Sequence, residues 1–299
     1  MRGRDRAART SKGNVGDEVP DRKTLLEKLG GPDTVNQMSA EAKADALETL
    51  LQGELNHSIA AGTGAGPASG APDATHHLPT AAEVEALIET RHHRLGVGNL
   101  FYAGKQRVRK LPPMPEKPTL ADFFRLRFHQ TAHHVLQSAN LAQKKGLPEE
   151  VVLACLLHDV SQELIHVDHG WWSAHIFEPY VSERTAFAIR YHQALRFYPD
   201  EAAGYHYPAL YLELFGSDYK PEPYVEAAYQ MVRKHKWYDL PRMVTVNDLY
   251  SFEPGVVVSL EHFTDVVGRN FKQPREGLGF DNSPVAHIWR SFIWPDHPL

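Results

Sequence analysis

An all-helical fold behind a largely disordered N-terminal extension is what three features of this 299-residue chain predict. The first is periodicity. After residue 119 apolar positions recur at helical spacing, and no stretch alternates convincingly with a period of two over more than four residues. The second is punctuation: Gly, Pro and capping residues cut the chain into segments of helical length. The third is a composition boundary. All 30 aromatic residues lie at or after Phe101, and a segment without aromatics rarely builds its own core. The expected organisation is an extension over 1–100, a Pro-rich linker over 101–118 and a helical domain over 119–299.

Taken in order, residues 1–22 are polar and charged and read as a disordered tail. From Lys23 to about Leu55, Leu25, Leu26, Leu29, Leu47, Leu50 and Leu51 mark one or two short helices, broken at Gly30-Gly31-Pro32. Residues 59–79 have linker composition. Thr80 and Glu83 form a capping-box pattern ahead of Val84, Leu87 and Ile88. The whole region reads as an appendage, so the chain without residues 1–100 is expected to fold. Pro112 to Pro118 is a stiff connector. Thr119 with Asp122 then caps one long helix reaching about Lys145, and Gly146 stops it.

Pro148 and the acids Glu149 and Glu150 suit the start of the next helix. Its body, Val151 to Leu157, is apolar on every side and belongs at the centre of a bundle. Further helical patterns cover roughly 171–180, 183–195, 207–215, 221–235, 239–250 and 258–270. Val256 to Leu260 comes nearest to a strand and is short. The turn-rich stretch from Gly277 to Arg290 either packs on the core or folds over it as a lid.

Composition excludes several classes. A net charge of −5 disfavours a nucleic-acid binder that relies on a broad basic field. One cysteine, Cys155, rules out an internal disulfide framework and a cysteine zinc finger, and its place in the apolar helix reads as inert. The apolar run of seven residues at Val151–Leu157 is far short of the roughly 20 that a membrane span needs. No apolar stretch follows the charged N-terminus, so a cytoplasmic location is the expectation. A Gly-rich phosphate loop and a Gly-x-Ser-x-Gly elbow are both missing, and the basic run Lys105–Lys110 reads as a solvated linker.

Histidine is the outlying count: 18 in all, nine of them between His129 and His206. His158-Asp159 ends the apolar helix, and two ionisable groups there are costly unless something compensates both. A metal ion does so, because neutral imidazole and carboxylate are good ligands and the cation offsets the buried charge. His134 lies 24 residues before His158, His169 lies 11 after it, His192 a further 23, and Asp248 another 56. These fall on successive helical segments and make two sites sharing Asp159. One is His134, His158, Asp159 and Asp248; the other is Asp159, His169 and His192. Each falls short of six ligands, which leaves room for substrate or oxygen. His133 competes with His134, and His166 and His175 compete for the third histidine. Gln162 and Gln193 are candidates to support the ligands.

The order His134 … His158-Asp159 … His169 … His192 … Asp248 resembles the HD-domain superfamily of helical metalloenzymes over about 129–250. Both middle histidines are present, which is similar to its two-metal branch, the one containing the mixed-valent diiron phosphonate oxygenases and myo-inositol oxygenase. That resemblance implies two iron ions, with manganese or zinc as alternatives. It also implies oxygen-dependent oxidation and cleavage of a small hydroxylated anionic substrate resembling an organophosphonate. Dioxygen and that substrate are then the partners, with no nucleic acid or membrane. Arg196 stands four residues after His192, where the phosphonate oxygenases carry a basic residue, and would hold the acidic group. Hydrolytic relatives carry a lysine three residues after the Asp. Gln162 stands there, which weakens the second reading, a two-metal phosphohydrolase acting on a phosphate ester or nucleotide.

Overall fold

The computed structural model describes residues 20–62, 112–216, 219–249 and 251–294. Residues 1–19, the capped segment from Thr80 and the basic run at Lys105–Lys110 lie outside them. Among the described residues the fold is all-helical, with no strand and one isolated antiparallel bridge, Asp200 to Tyr205. The helices are α1 (Arg22–Lys28), α2 (Pro32–Gln37), α3 (Ala40–Gly62), α4 (Leu120–Leu126), α5 (Ala132–Lys144), α6 (Glu149–Leu157) and α7 (His169–Phe177). Then come α8 (Glu183–Leu195), α9 (Ala209–Phe215), α10 (Pro223–Val232), α11 (Asp239–Leu249), α12 (Thr264–Asn270) and α13 (Ala286–Ile293). Residues 256–259 form no strand, and a short 3₁₀ turn over Leu260–Phe263 precedes α12.

As its sequence requires, α6 is the central rod. Every residue from Val151 to Leu157 is buried, with α5, α8 and α11 around it. Burial also pushes the Cys155 thiol up to about 12, which keeps it inert. An aromatic layer of Phe123, Phe128, Trp289 and Phe292 closes one end of this core. Trp289 is fully buried there, so the C-terminal stretch packs into the bundle and is no lid.

The single long helix expected over 119–145 is two helices, and the reason is tertiary. The Thr119–Asp122 capping box starts α4 as predicted. The chain then turns at Arg127, whose guanidinium donates to the Phe292 and Ile293 carbonyls at the end of α13. A new start follows at Thr131, where Glu163 accepts from the Gln130 and Thr131 amides and the Thr131 hydroxyl. A cap supplied from 32 residues away in the chain leaves no local signal.

The larger correction concerns residues 20–62, which belong to the helical body. Leu25, Leu29, Val35, Ala44 and Leu47 form a second apolar cluster with Phe197, Tyr211, Leu214 and Val225. The aromatics this cluster needs come from residues beyond 190, which is why the N-terminal segment carries none. Helix α3 continues to Gly62, past the expected linker start at 59, and its far end packs Leu55 and Ile59 on Phe252.

Candidate metal centre

Each site residue is placed by the end or face of a helix. His134 points inward from the first turn of α5, while His158 and Asp159 follow the last turn of α6. Asp248 closes the group from α11. His169 begins α7, and His192 lies on α8. The close approach of α7 to α8 depends on Gly170: an added Cβ would lie 3.1 Å from both the His192 ring and the Ile189 carbonyl.

The six residues singled out by spacing converge. His134 Nε2 lies 3.2 Å from Asp159 Oδ2, 3.2 Å from Asp248 Oδ1 and 3.3 Å from His158 Nε2. His158 Nε2 is 3.3 Å from Asp159 Oδ1. On the other side of the shared carboxylate, His169 Nε2 and His192 Nε2 are 3.4 Å and 3.7 Å from Asp159 Oδ1. Ligand atoms of His134, His158, Asp159 and Asp248 lie within 4.8 Å of one another, and so do those of Asp159, His169 and His192. These are the two groups expected from the sequence, joined at Asp159.

The tautomers follow from the hydrogen bonds. His158 Nδ1 faces the Cys155 carbonyl at 2.8 Å, His169 Nδ1 the His166 carbonyl at 3.2 Å and His192 Nδ1 the Ile189 carbonyl at 2.6 Å. His134 Nδ1 faces the Ser251 carbonyl at 3.3 Å. A carbonyl only accepts, so each Nδ1 carries a proton, and in the neutral ring that a cation selects each Nε2 turns a lone pair inward. Neutral rings in that state set two lone pairs 3.3 Å apart between His134 and His158, which is repulsive without a cation between them.

Two atoms mark the second group further. Asp159 Oδ1 and His192 Nε2 are buried and lack a hydrogen-bond partner. Charge tells the same story. Arg196 pairs with three of the carboxylates here, Glu41, Asp45 and Glu48, and with buried Asp159 and part-buried Asp248 beside them the negative charge is in excess. Where no cation balances it, the titrations distort. Burial lowers His134, but Asp159 and Asp248 outweigh burial and hold it up at about 9. Burial depresses His192 to about 4. Asp159 is held well below the carboxylate range, since His158 and its other partners overcome the opposing effect of burial. The donor set of imidazole and carboxylate, the orphaned atoms and the excess charge all fit a pair of divalent cations.

Arg196 departs from its expected role. It is 4% exposed, so it is no surface residue. Its Nη2 pairs with Glu41 and lies 2.7 Å from Asp45, and its Nη1 is 3.4 Å from Glu48. The guanidinium therefore answers three carboxylates of α3 and is not presented to an incoming anion.

The competing histidines fall away from the centre. His175 is half-exposed, stacks on Trp171 and faces Glu178. His166 Nδ1 meets the Thr49 hydroxyl. His133 Nδ1 has no partner, and burial lowers its ring. Gln162 and Gln193 do support the site: Gln162 donates to Glu48, and Gln193 donates to Glu41 and accepts from the Gly170 amide.

Sequence reasoning missed the face of α3. Glu41, Asp45, Glu48 and Gln52 are buried and line one side of the centre, with Gln52 donating to Asp159 Oδ2 at 3.3 Å. A signal existed: spacings of four, three and four place these residues on a single helical stripe beside Ala44, Leu47 and Leu55.

No known family model matches this chain, and no curated protein matches it. Among the described residues, no helix is long and apolar enough to cross a membrane.

Proposed function

We propose that this chain is a two-metal oxygenase of the HD-domain type, oxidising and cleaving a small hydroxylated substrate with dioxygen at a pair of iron ions. Manganese or zinc are the alternative ions. The observation that carries the reading is the convergence of four inward-facing imidazole Nε2 atoms on Asp159, whose Oδ1 has no partner. His134, His158, Asp159 and Asp248 would hold one ion, and Asp159, His169 and His192 the other. Bound iron supplies redox capacity for dioxygen and acidity for a substrate hydroxyl. The protein's part is orientation and shielding. Backbone carbonyls aim the rings, Gln52 fixes one oxygen of Asp159, and burial keeps bulk water from the centre.

Phosphate-ester hydrolysis is the weaker reading. It needs a cationic side chain or a positive field for a phosphate dianion. Gln162 stands where hydrolytic relatives carry lysine, and its amide is spent on Glu48. Arg196 is committed to three carboxylates, so an acidic substrate group gains from it only by displacing one of them. A substrate anchored by its hydroxyl carries no such requirement.

The test is anaerobic iron reconstitution of the full chain, with metal quantitation and low-temperature electron paramagnetic resonance on partly reduced protein. Two irons per chain and a spin-coupled signal that hydroxylated candidates perturb, with oxygen uptake, bear the reading out. Phosphate-ester hydrolysis by the manganese- or zinc-loaded protein without oxygen uptake overturns it.

A further inference from the structure

We propose that Glu48 of α3 is a direct ligand of the second metal ion, so that the N-terminal segment completes a shell the bundle leaves open. The inference rests on the two-metal reading and adds a ligand from outside the six-residue pattern. Geometry separates Glu48 from its neighbours. Glu48 Oε2 lies 3.9 Å from His169 Nε2, the nitrogen that faces the centre. Asp45 Oδ1 lies 3.5 Å from His169 Nδ1, the opposite side of the ring, so Asp45 orients His169. Glu41 is held by Arg196 and Gln193.

Within Glu48 the two oxygens divide their tasks. Oε1 accepts from Gln162 Nε2 at 2.6 Å and from Gln52 Nε2 at 3.3 Å, which pins the carboxylate in place. Oε2 has a 3.4 Å approach from Arg196 Nη1 and is otherwise directed at the His169 side of the centre. The unpartnered atoms Asp159 Oδ1 and His192 Nε2 face the same region, and both belong to fully buried side chains. A cation there would answer all of them. Ligand atoms of Asp45, Glu48 and His169 also lie within 4.8 Å of one another, a group that meets Asp159 and His192 through His169, and Glu48 would be the fourth protein donor to the second ion.

The experiment compares the full-length wild type with Glu48→Gln, an isostere that keeps the amide contacts, and with Glu48→Ala. Each is stripped of metal and titrated with Zn²⁺ against a chelating dye. Amide hydrogen exchange over residues 40–62 is followed in parallel. The wild type should take two ions, and the second should slow exchange in α3. Glu48→Gln should keep the first ion, lose at least about tenfold in affinity for the second, and show no added protection of α3. Metal-free Glu48→Gln should melt no lower than the metal-free wild type, which separates lost ligation from misfolding. Wild-type affinity for both ions with wild-type protection in Glu48→Gln would overturn the role of Glu48 and leave the two-metal reading standing. A wild type that binds no second ion would overturn both.

Discussion

The two ligand groups share one carboxylate and differ in what holds the rest. The first draws on α5, α6 and α11, which pack directly on one another within the main core. The second takes His169 and His192 from α7 and α8, and its remaining side is covered by α3. That helix is held by a separate apolar cluster and by Arg196. A site whose helices all belong to one core inherits the stability of that core. A site sealed by a second segment inherits the weaker attachment of that segment, and its occupancy becomes a measure of docking.

Substitutions can break this contrast. The largest effect is expected from Asp159→Ala, which removes the shared ligand. Both ions should be lost from metal analysis, together with the metal-linked stabilisation, about 4 kcal/mol per ion where free metal stands 1,000-fold above Kd. Retention of either ion at full occupancy would deny Asp159 its bridging place. His192→Ala should cost about one ion, and the one retained should be that of the His134 group.

Arg196→Ala comes next. It strands Glu41, Asp45 and Glu48 in a buried site, at a cost of about 3–5 kcal/mol. Metal analysis should show the second ion lost before the first. Equal loss of both would mean that α3 supports the two groups alike. Removal of residues 1–62 should act in the same sense, exposing Phe197, Tyr211 and Leu214 and producing an aggregation-prone protein with at most one ion.

Leu47→Ala tests the attachment without touching charge. Leu47 is buried in the second cluster, and its truncation should cost about 2–5 kcal/mol in denaturant unfolding while weakening the second ion. The last effect concerns pH. Burial holds the Glu163 carboxyl up at about 7 against an ordinary 4.5, despite its three donors. Between those values the native state keeps a proton that the unfolded chain has released. Stability should therefore fall as pH rises from 4.5 through 7, no more steeply than about 1.4 kcal/mol per pH unit. Glu163→Gln should flatten that slope in melts recorded across the window.

The helical class and all six centre residues were legible because each is a local pattern. Apolar periodicity set α6, α8 and α11, and the His/Asp spacing marked residues that every helix must aim the same way. What stayed hidden has a remote cause. The break at Arg127–Thr131 is made by Glu163 and by the end of α13. The α3 carboxylates look like the solvated face of a short acidic helix until Arg196 and the apolar cluster bring them inward. Arg196 lies beside the centre, but the sequence does not reveal that three acids from 148 or more positions away reach its guanidinium first.

One detail of the histidines reaches into how the centre forms. Three of the four rings, His158, His169 and His192, are tethered to the carbonyl three residues back in their own turn. Their aim is therefore set within a local turn, helical for His158 and His192 and just ahead of α7 for His169, and exists as soon as each turn does. His134 takes a distant partner, Ser251, and Asp45 adds one to His169. Assembly of the centre is then a matter of bringing ready-pointed helices alongside one another, with little rotamer searching left to the final step.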